Sequence, residues 1–334
     1  MPSARITMRD VAEAAGVSPM TVSRAFKDDE TVNANTRARI RSTADRLGYI
    51  YDSTATAFRT QKSGFVAVTL PSINNANFAE TYRGLTVEMQ RTGMQMLLGA
   101  TNYRVENEEA LVRQLLARNP EAIVLTGGHH TKPTRDLIAA RDLPVVEMWD
   151  LPDAPLGRVV GFSNPAAMRL VMGHLAQRGR RKLAFVGASS QADSRGAERC
   201  VGALEAARAL GLAEVAVIEA GPAPVSMRHG AACIEALGRG IKQFDALVCV
   251  SDPVAFGALS ACRRLGVLVP EDIAITGFGQ FEVAMVSDPR ITTVDVGARR
   301  IGEEVAHMLG ALFSGRQAPM RVDVGAQLVA GETS

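Results

Sequence analysis

The 334-residue chain has few cysteines and no long apolar run. Cys200, Cys233, Cys249 and Cys262 show no C-x-x-C spacing, and polar residues follow Met1 where a signal segment would be apolar. No stretch approaches the roughly 18 uninterrupted apolar residues of a membrane span. The expectation is a protein of a reducing cytoplasm that makes no use of a membrane. Catalytic signatures are missing too. There is no G-x-S-x-G, no G-x-x-x-x-G-K-[ST] and no H-E-x-x-H, and Gly277-Phe278-Gly279 is too short a glycine pattern to argue for a nucleotide. An enzyme is therefore not expected. Net charge is close to absent at +2; Met1 to Lys62 carries ten Lys or Arg against seven Asp or Glu, and the remainder 27 against 28. The small basic excess sits at the amino terminus, where its arrangement matters more than its sum.

What is present begins with MRDVAEAAGVSPMTVSRAF, Met8 to Phe26. Val11, Ala12 and Ala15 fall on one helical face, Gly16 can stop the helix in the left-handed conformation, Ser18 can cap the next, and Pro19 suits a first helical position that needs no N–H. The second helix would turn Val22 and Phe26 inward. That leaves Pro19, Met20, Ser23 and Arg24 outward at the end that enters the DNA major groove in a helix-turn-helix. Arg24 suits a guanine edge or a phosphate, Ser18, Thr21 and Ser23 suit phosphate oxygens, and Met20 suits an apolar contact such as a thymine methyl. Asn35 is expected to cap a third helix, Thr36 to Leu47, with Ile40, Ala44 and Leu47 on its inner face and Gly48 at its end; Asn33 and Thr36 complete the DNA-contact set.

The run DVAEAAGVSPMTVSRAF, followed by TRARI and LGYI, resembles the headpiece of the LacI/GalR family of bacterial transcription regulators. The resemblance implies a three-helix headpiece over residues 1–52, docked as a dimer on a pseudo-palindromic double-stranded operator. It also implies a hinge over 53–63 that forms a short helix in the minor groove, with Phe58 at the position of the family's wedging leucine. The chain departs from the family here, since Tyr51-Asp52 stands where Pro-Asn is usual. A threonine-rich segment this short should order only on DNA.

From Gly64 onward strand-like and helix-like runs alternate: FVAVTL, a helix near Phe78 to Arg91, MQMLL, a helix near Asn107 to Arg118, AIVLT, PVVEMW and VVGF. The pattern restarts with LAFVG, a helix near Arg195 to Leu210, VAVIE, DALVCV and IAITGF. This predicts two doubly wound parallel units. The fold class expected is thus α/β, a three-helix helix-turn-helix headpiece plus a two-lobed core, which the resemblance makes periplasmic-binding-protein-like. Residues 64–334 would form that effector-binding core, with lobe 1 at about 64–160 and 290–322 and lobe 2 at about 161–289 and 323–334.

Ligands of open α/β sheets sit beyond the carboxyl ends of the strands. The residues there are polar: Ser72, Asn77 and Phe78, then Tyr103, then Thr126 and His130, then Asp150, with Arg195, Arg199, Ser251, Asp252 and Gln280 from the second lobe. Hydroxyls, amides and two arginines suit a polyol bearing a carboxylate or phosphate. Within the resemblance, Arg199 keeps the R-x-x-G pattern of an effector-binding arginine, and Gly279-Gln280 replaces an aspartate pair of many sugar-binding members, which lowers repulsion toward an anion. Those features, with LTGGHHT and PVVEMWD, are most similar to the gluconate-repressor branch. The reading is a ligand-released repressor of sugar-acid catabolism, its effector gluconate or a phosphorylated relative. A neutral-sugar or corepressor-driven regulator is the alternative; a solute-binding protein or sugar-processing enzyme of doubly wound fold is set aside by the headpiece. His129 and His130 have no third ligand nearby in sequence, so no metal or cofactor is expected.

Overall fold

A computed structural model describes residues 6–27, 29–51, 63–188 and 193–334, and the chain divides into two units, Met1–Ser63 and Gly64–Ser334.

The first unit is three short helices, α1 (Met8–Ala15), α2 (Pro19–Phe26) and α3 (Ala34–Leu47), around Val11, Ala12, Ala15, Val22, Ala25, Val32, Ile40 and Ala44. Local chemistry sets every boundary. The Asp10 carboxylate accepts the Thr7 N–H at 2.7 Å and starts α1; Gly16 at φ +64° ends it. Ser18 Oγ accepts the Thr21 N–H at 3.2 Å, and Pro19 opens α2. One expectation is corrected here. The third helix starts at Ala34, because Asn33 holds the extended conformation and its Oδ1 accepts the Thr36 N–H at 2.8 Å, which leaves Asn35 inside the first turn. Val22 faces inward as expected, joined by Ala25, and the half-buried Phe26 packs against the same core and stacks on Tyr51 at 5.0 Å between centroids.

In the second unit, β1 (Phe65–Leu70), α4 (Ala76–Arg91), β2 (Gln95–Ala100), α5 (Val105–Leu116), β3 (Ala122–Thr126), α6 (Lys132–Ala139), β4 (Val145–Trp149) and β5 (Arg158–Gly161) build the first sheet. The chain then passes through α7 (Asn164–Gln177), β6 (Leu183–Ala188), α8 (Ser194–Ala209), β7 (Ala216–Gly221), α9 (Met227–Leu237), β8 (Ala246–Cys249), α10 (Asp252–Arg264) and β9 (Ala274–Thr276). Finally α11 (Glu282–Val286), β10 (Thr293–Asp295), α12 (Ala298–Phe313), β11 (Arg321–Asp323) and β12 (Gln327–Val329) return it to both halves. The first sheet is parallel in the order β11-β5-β4-β3-β1-β2, the second parallel in the order β7-β6-β8-β9, and β10 pairs antiparallel with β12. Helices cover both sheets. That is why β1, β3 and β4 are buried along nearly their whole length and read in the sequence as mostly apolar runs.

Strand order decides where a ligand can sit. β1 lies between β2 and β3, and β6 between β7 and β8, so the crossovers leave β1 and β6 in opposite directions and the strand ends part there. Both switch points lie at carboxyl ends. On the first sheet α12 packs against α4 so closely that a Cβ at Gly302 would collide with the Thr81 carbonyl. Glu147 is the one charged residue inside β4, and a partner beneath the sheet accounts for it.

Candidate functional site

The headpiece presents a helix end to solvent. Pro19, Met20 and Arg24 are exposed, Met20 to 59%, whereas Thr21 and Ser23 are half-buried. An exposed methionine at the first turn of a helix with its core face already filled has no packing role there. Ser18 Oγ lies 2.9 Å from Thr21 Oγ1, and Ser23 Oγ 3.5 Å from the Tyr51 hydroxyl, so these hydroxyls are oriented from within the headpiece. Asn33 is exposed, Thr36 half-buried, and the Asn33 carbonyl oxygen is engaged in the cap. Phe58 and hinge residues 53–62 lie outside the described residues.

The second unit holds a cleft of about 590 Å³, partly open to solvent, at the switch points of both sheets. Asn75, Asn77 and Phe78 enter it after β1, Tyr103 after β2 and Trp149 at the end of β4; Asp193, Arg195 and Arg199 come from the start of α8, and Ser251 from the end of β8. Phe78 packs edge-on against Trp149 at 4.9 Å and lies 6.5 Å from Tyr103. Arg195 lies 5.4 Å above the Phe78 ring and Arg199 4.6 Å above Phe278. Neither guanidinium forms an ion pair among the described residues. Burial pulls the Arg199 guanidinium below its ordinary pKa, against the opposing pull of Asp193, and its Nε has no hydrogen-bond partner among the described residues. The Trp149 indole N–H, also buried, has none either. Two cations on aromatic faces and an unpaired indole donor form a wall that accepts a compact anion carrying hydroxyls.

Of the residues anticipated as effector contacts, the cleft brings together Asn77, Phe78, Tyr103, Arg195, Arg199 and Ser251. Six are corrected. Ser72 accepts the Asn74 N–H in the loop beyond β1. Thr126 donates its hydroxyl to the Thr69 carbonyl at 2.6 Å, tying β3 to β1. His130 is withdrawn beneath the sheet, with Nδ1 2.7 Å from Glu108 and Nε2 3.3 Å from Glu147. Burial alone would lower its pKa, but the two carboxylates outweigh that and raise it to about 9, so the imidazolium neutralises the acid inside β4. Asp150 accepts the Gly128 N–H at 3.1 Å and lines a separate cavity. Asp252 accepts the Thr293 hydroxyl and the Phe281 N–H in the core, and burial pushes its carboxyl up to about 6. Gln280 turns its amide toward Asp295.

Asn75, which follows β1, and Trp149, weighed as a core aromatic, also line the cleft, as do Asp193, Phe278, Val225 and Phe281, which the sequence does not single out as contacts. Phe278 lies two residues beyond β9 and was open to the same strand-end argument; Val225 lies between β7 and α9, where no pattern marks it.

Residues 7–52 match the family described as bacterial regulatory proteins, lacI family, and residues 172–334 match the periplasmic binding protein-like domain. The HTH-type transcriptional regulator GntR of Pseudomonas aeruginosa is 34% identical over 331 residues, spanning 99% of this chain and 96% of that protein. The HTH-type transcriptional regulator GntR of Escherichia coli is 32% identical over 99% of both chains. Among solved structures, a LacI family transcriptional regulator from Silicibacter pomeroyi superposes with a TM-score of 0.91 at 28% identity, covering 98% of this chain and 99% of that one.

Proposed function

The chain belongs to the lacI family of bacterial regulatory proteins and is a DNA-binding, effector-responsive transcriptional repressor, not an enzyme, and we propose that its effector is a sugar acid of the gluconate type. The observation that carries the ligand class is the pair of guanidiniums, Arg195 and Arg199, held over aromatic rings with no carboxylate paired to either among the described residues. A neutral sugar would leave both charges uncompensated. A carboxylate or phosphate ester takes a bidentate bond from one of them and leaves the ligand's hydroxyls for Asn75, Asn77, Ser251 and the Trp149 indole.

In this reading the protein works in the cytoplasm as a homodimer. Residues 1–52 form the reading head, 53–63 the hinge with Phe58 as its minor-groove wedge, and 64–334 the effector core. Ser18, Pro19, Met20, Thr21, Ser23 and Arg24 face the major groove of a pseudo-palindromic operator, with Asn33 and Thr36 at the backbone. The effector touches both halves of the core, so it favours one relative orientation of the lobes by the difference between its affinities for the two. That orientation is the one that releases the operator.

The test is a thermal-shift panel of gluconate, its phosphate ester and matched neutral sugars, followed by fluorescence anisotropy on duplexes selected from a random pool. The acids should raise the core's melting temperature and weaken duplex binding, while the neutral sugars do neither. Stabilisation by a neutral sugar alone would overturn the ligand class, and tighter duplex binding with the acid would make it a corepressor.

A further inference from the structure

We propose that His129, Asp150 and Glu198 form a binding site for a divalent transition cation of the zinc class, spanning the two lobes on the far side of Trp149 from the effector cleft. One ligand atom from each residue lies within 4.8 Å of the other two. His129 follows β3 and Asp150 follows β4 in the first lobe; Glu198 comes from α8 in the second, and all three line one cavity. An imidazole and two carboxylates are a donor set that zinc and its neighbours accept.

The surroundings have the form of an outer ligand shell. Asp150 commits Oδ2 to the Gly128 N–H at 3.1 Å, and its Oδ1, in a residue only 4% exposed, has no hydrogen-bond partner among the described residues. Glu198 commits Oε2 to the Asn164 amide N–H at 3.0 Å, while the buried Asn164 Oδ1 is likewise unpartnered among the described residues. Each carboxylate is thus steered by one donor and keeps an oxygen for the cavity. Two carboxylates, one from each lobe, are thus brought together at one cavity. Trp149, next to Asp150, holds φ +84°, a left-handed conformation rare for a tryptophan, and this strain aims the aspartate at the cavity and the indole at the cleft.

The geometry also gives the ion a mechanical consequence. Ligand atoms around a tetrahedral zinc stand about 3.4 Å apart. The present atoms lie within 4.8 Å of one another, and Glu198 sits on α8 with Arg195 and Arg199, so an ion here ties the helix that carries both arginines to the first lobe. The cation is therefore a second ligand that joins the two lobes, independent of what occupies the cleft.

Full-length protein stripped with a chelator should bind one equivalent of Zn²⁺ in a competition assay against a metal-sensitive dye. The fluorescence of Trp149, the only tryptophan, should change over the same titration. Co²⁺ should give bands without thiolate charge transfer, which separates this site from the four cysteines. Glu198→Gln, which keeps the Asn164 contact, and His129→Ala, at an exposed position, should each weaken binding at least tenfold. Unchanged affinity in both variants, a thiolate band, or no saturable binding would overturn the site. A Trp149 signal that does not respond to the metal would also overturn it.

Discussion

The headpiece and the effector cleft both use arginine, under opposite physical conditions. Arg24 stands in water on a helix whose inner face rests on a core of mostly alanines and valines; Arg199 is desolvated over Phe278 with an unpartnered Nε. An exposed guanidinium costs nothing to keep charged and gains little from any single contact, so recognition there is shared among several groups and weakened by salt. A desolvated guanidinium without a counter-ion is held at a cost that an anionic ligand removes, so recognition there rests on one or two residues. The first arrangement suits scanning a polyanion, the second suits selecting one small molecule.

The comparison can be broken most severely beneath the sheet. His130→Ala leaves Glu108 and Glu147 buried without a cation, and should destabilise the core by about 3–5 kcal/mol while the headpiece transition stays put, as read by calorimetry. The pH dependence has a definite sign. The folded-state pKa of His130, about 9, lies above its ordinary 6.5, so its contribution is complete below 6.5 and is lost as pH rises through 9. Core stability that is flat between those limits would contradict the buried imidazolium. Next in size, Arg199→Ala should weaken binding of the acidic effector by about 10- to 150-fold with duplex affinity unchanged, measured by calorimetric titration. On the other side, Arg24→Ala should cost about 5- to 150-fold in duplex affinity if the arginine reads a guanine. A uniform loss with a salt slope reduced by about one would mean a phosphate contact. Smallest of all, Ser18→Ala should remove the α2 cap and destabilise the headpiece by about 1 kcal/mol, seen as a lower headpiece melting temperature with the core unmoved.

The same contrast explains what could be read from the chain. The headpiece was legible because its determinants are local: Gly16, Ser18 and Pro19 act on backbone groups within a few residues. The misassigned cap, Asn35 for Asn33, is a two-residue slip between chemically equivalent asparagines. The alternation of strands was legible because sheets covered on both faces leave continuous apolar runs, and strand ends pointed to Asn77, Phe78, Tyr103, Arg195, Arg199 and Ser251. Which way a strand-end side chain turns was not, since Thr126, His130, Asp150 and Asp252 are claimed by partners 22 to 57 residues away. His130 illustrates the limit: only its contacts with Glu108 on α5 and Glu147 in β4 reveal that a loop histidine belongs to the core.

The central claim is that the cleft governs the helix end on a separate unit of the chain. Operator anisotropy with increasing gluconate, run in parallel on the parent, Arg24→Ala and Arg199→Ala, tests it most directly. The parent and the weakened Arg24 variant should both release duplex at the same gluconate concentration, and the Arg199 variant should stay bound throughout. Release of the Arg199 variant at the parent's concentration would contradict the account.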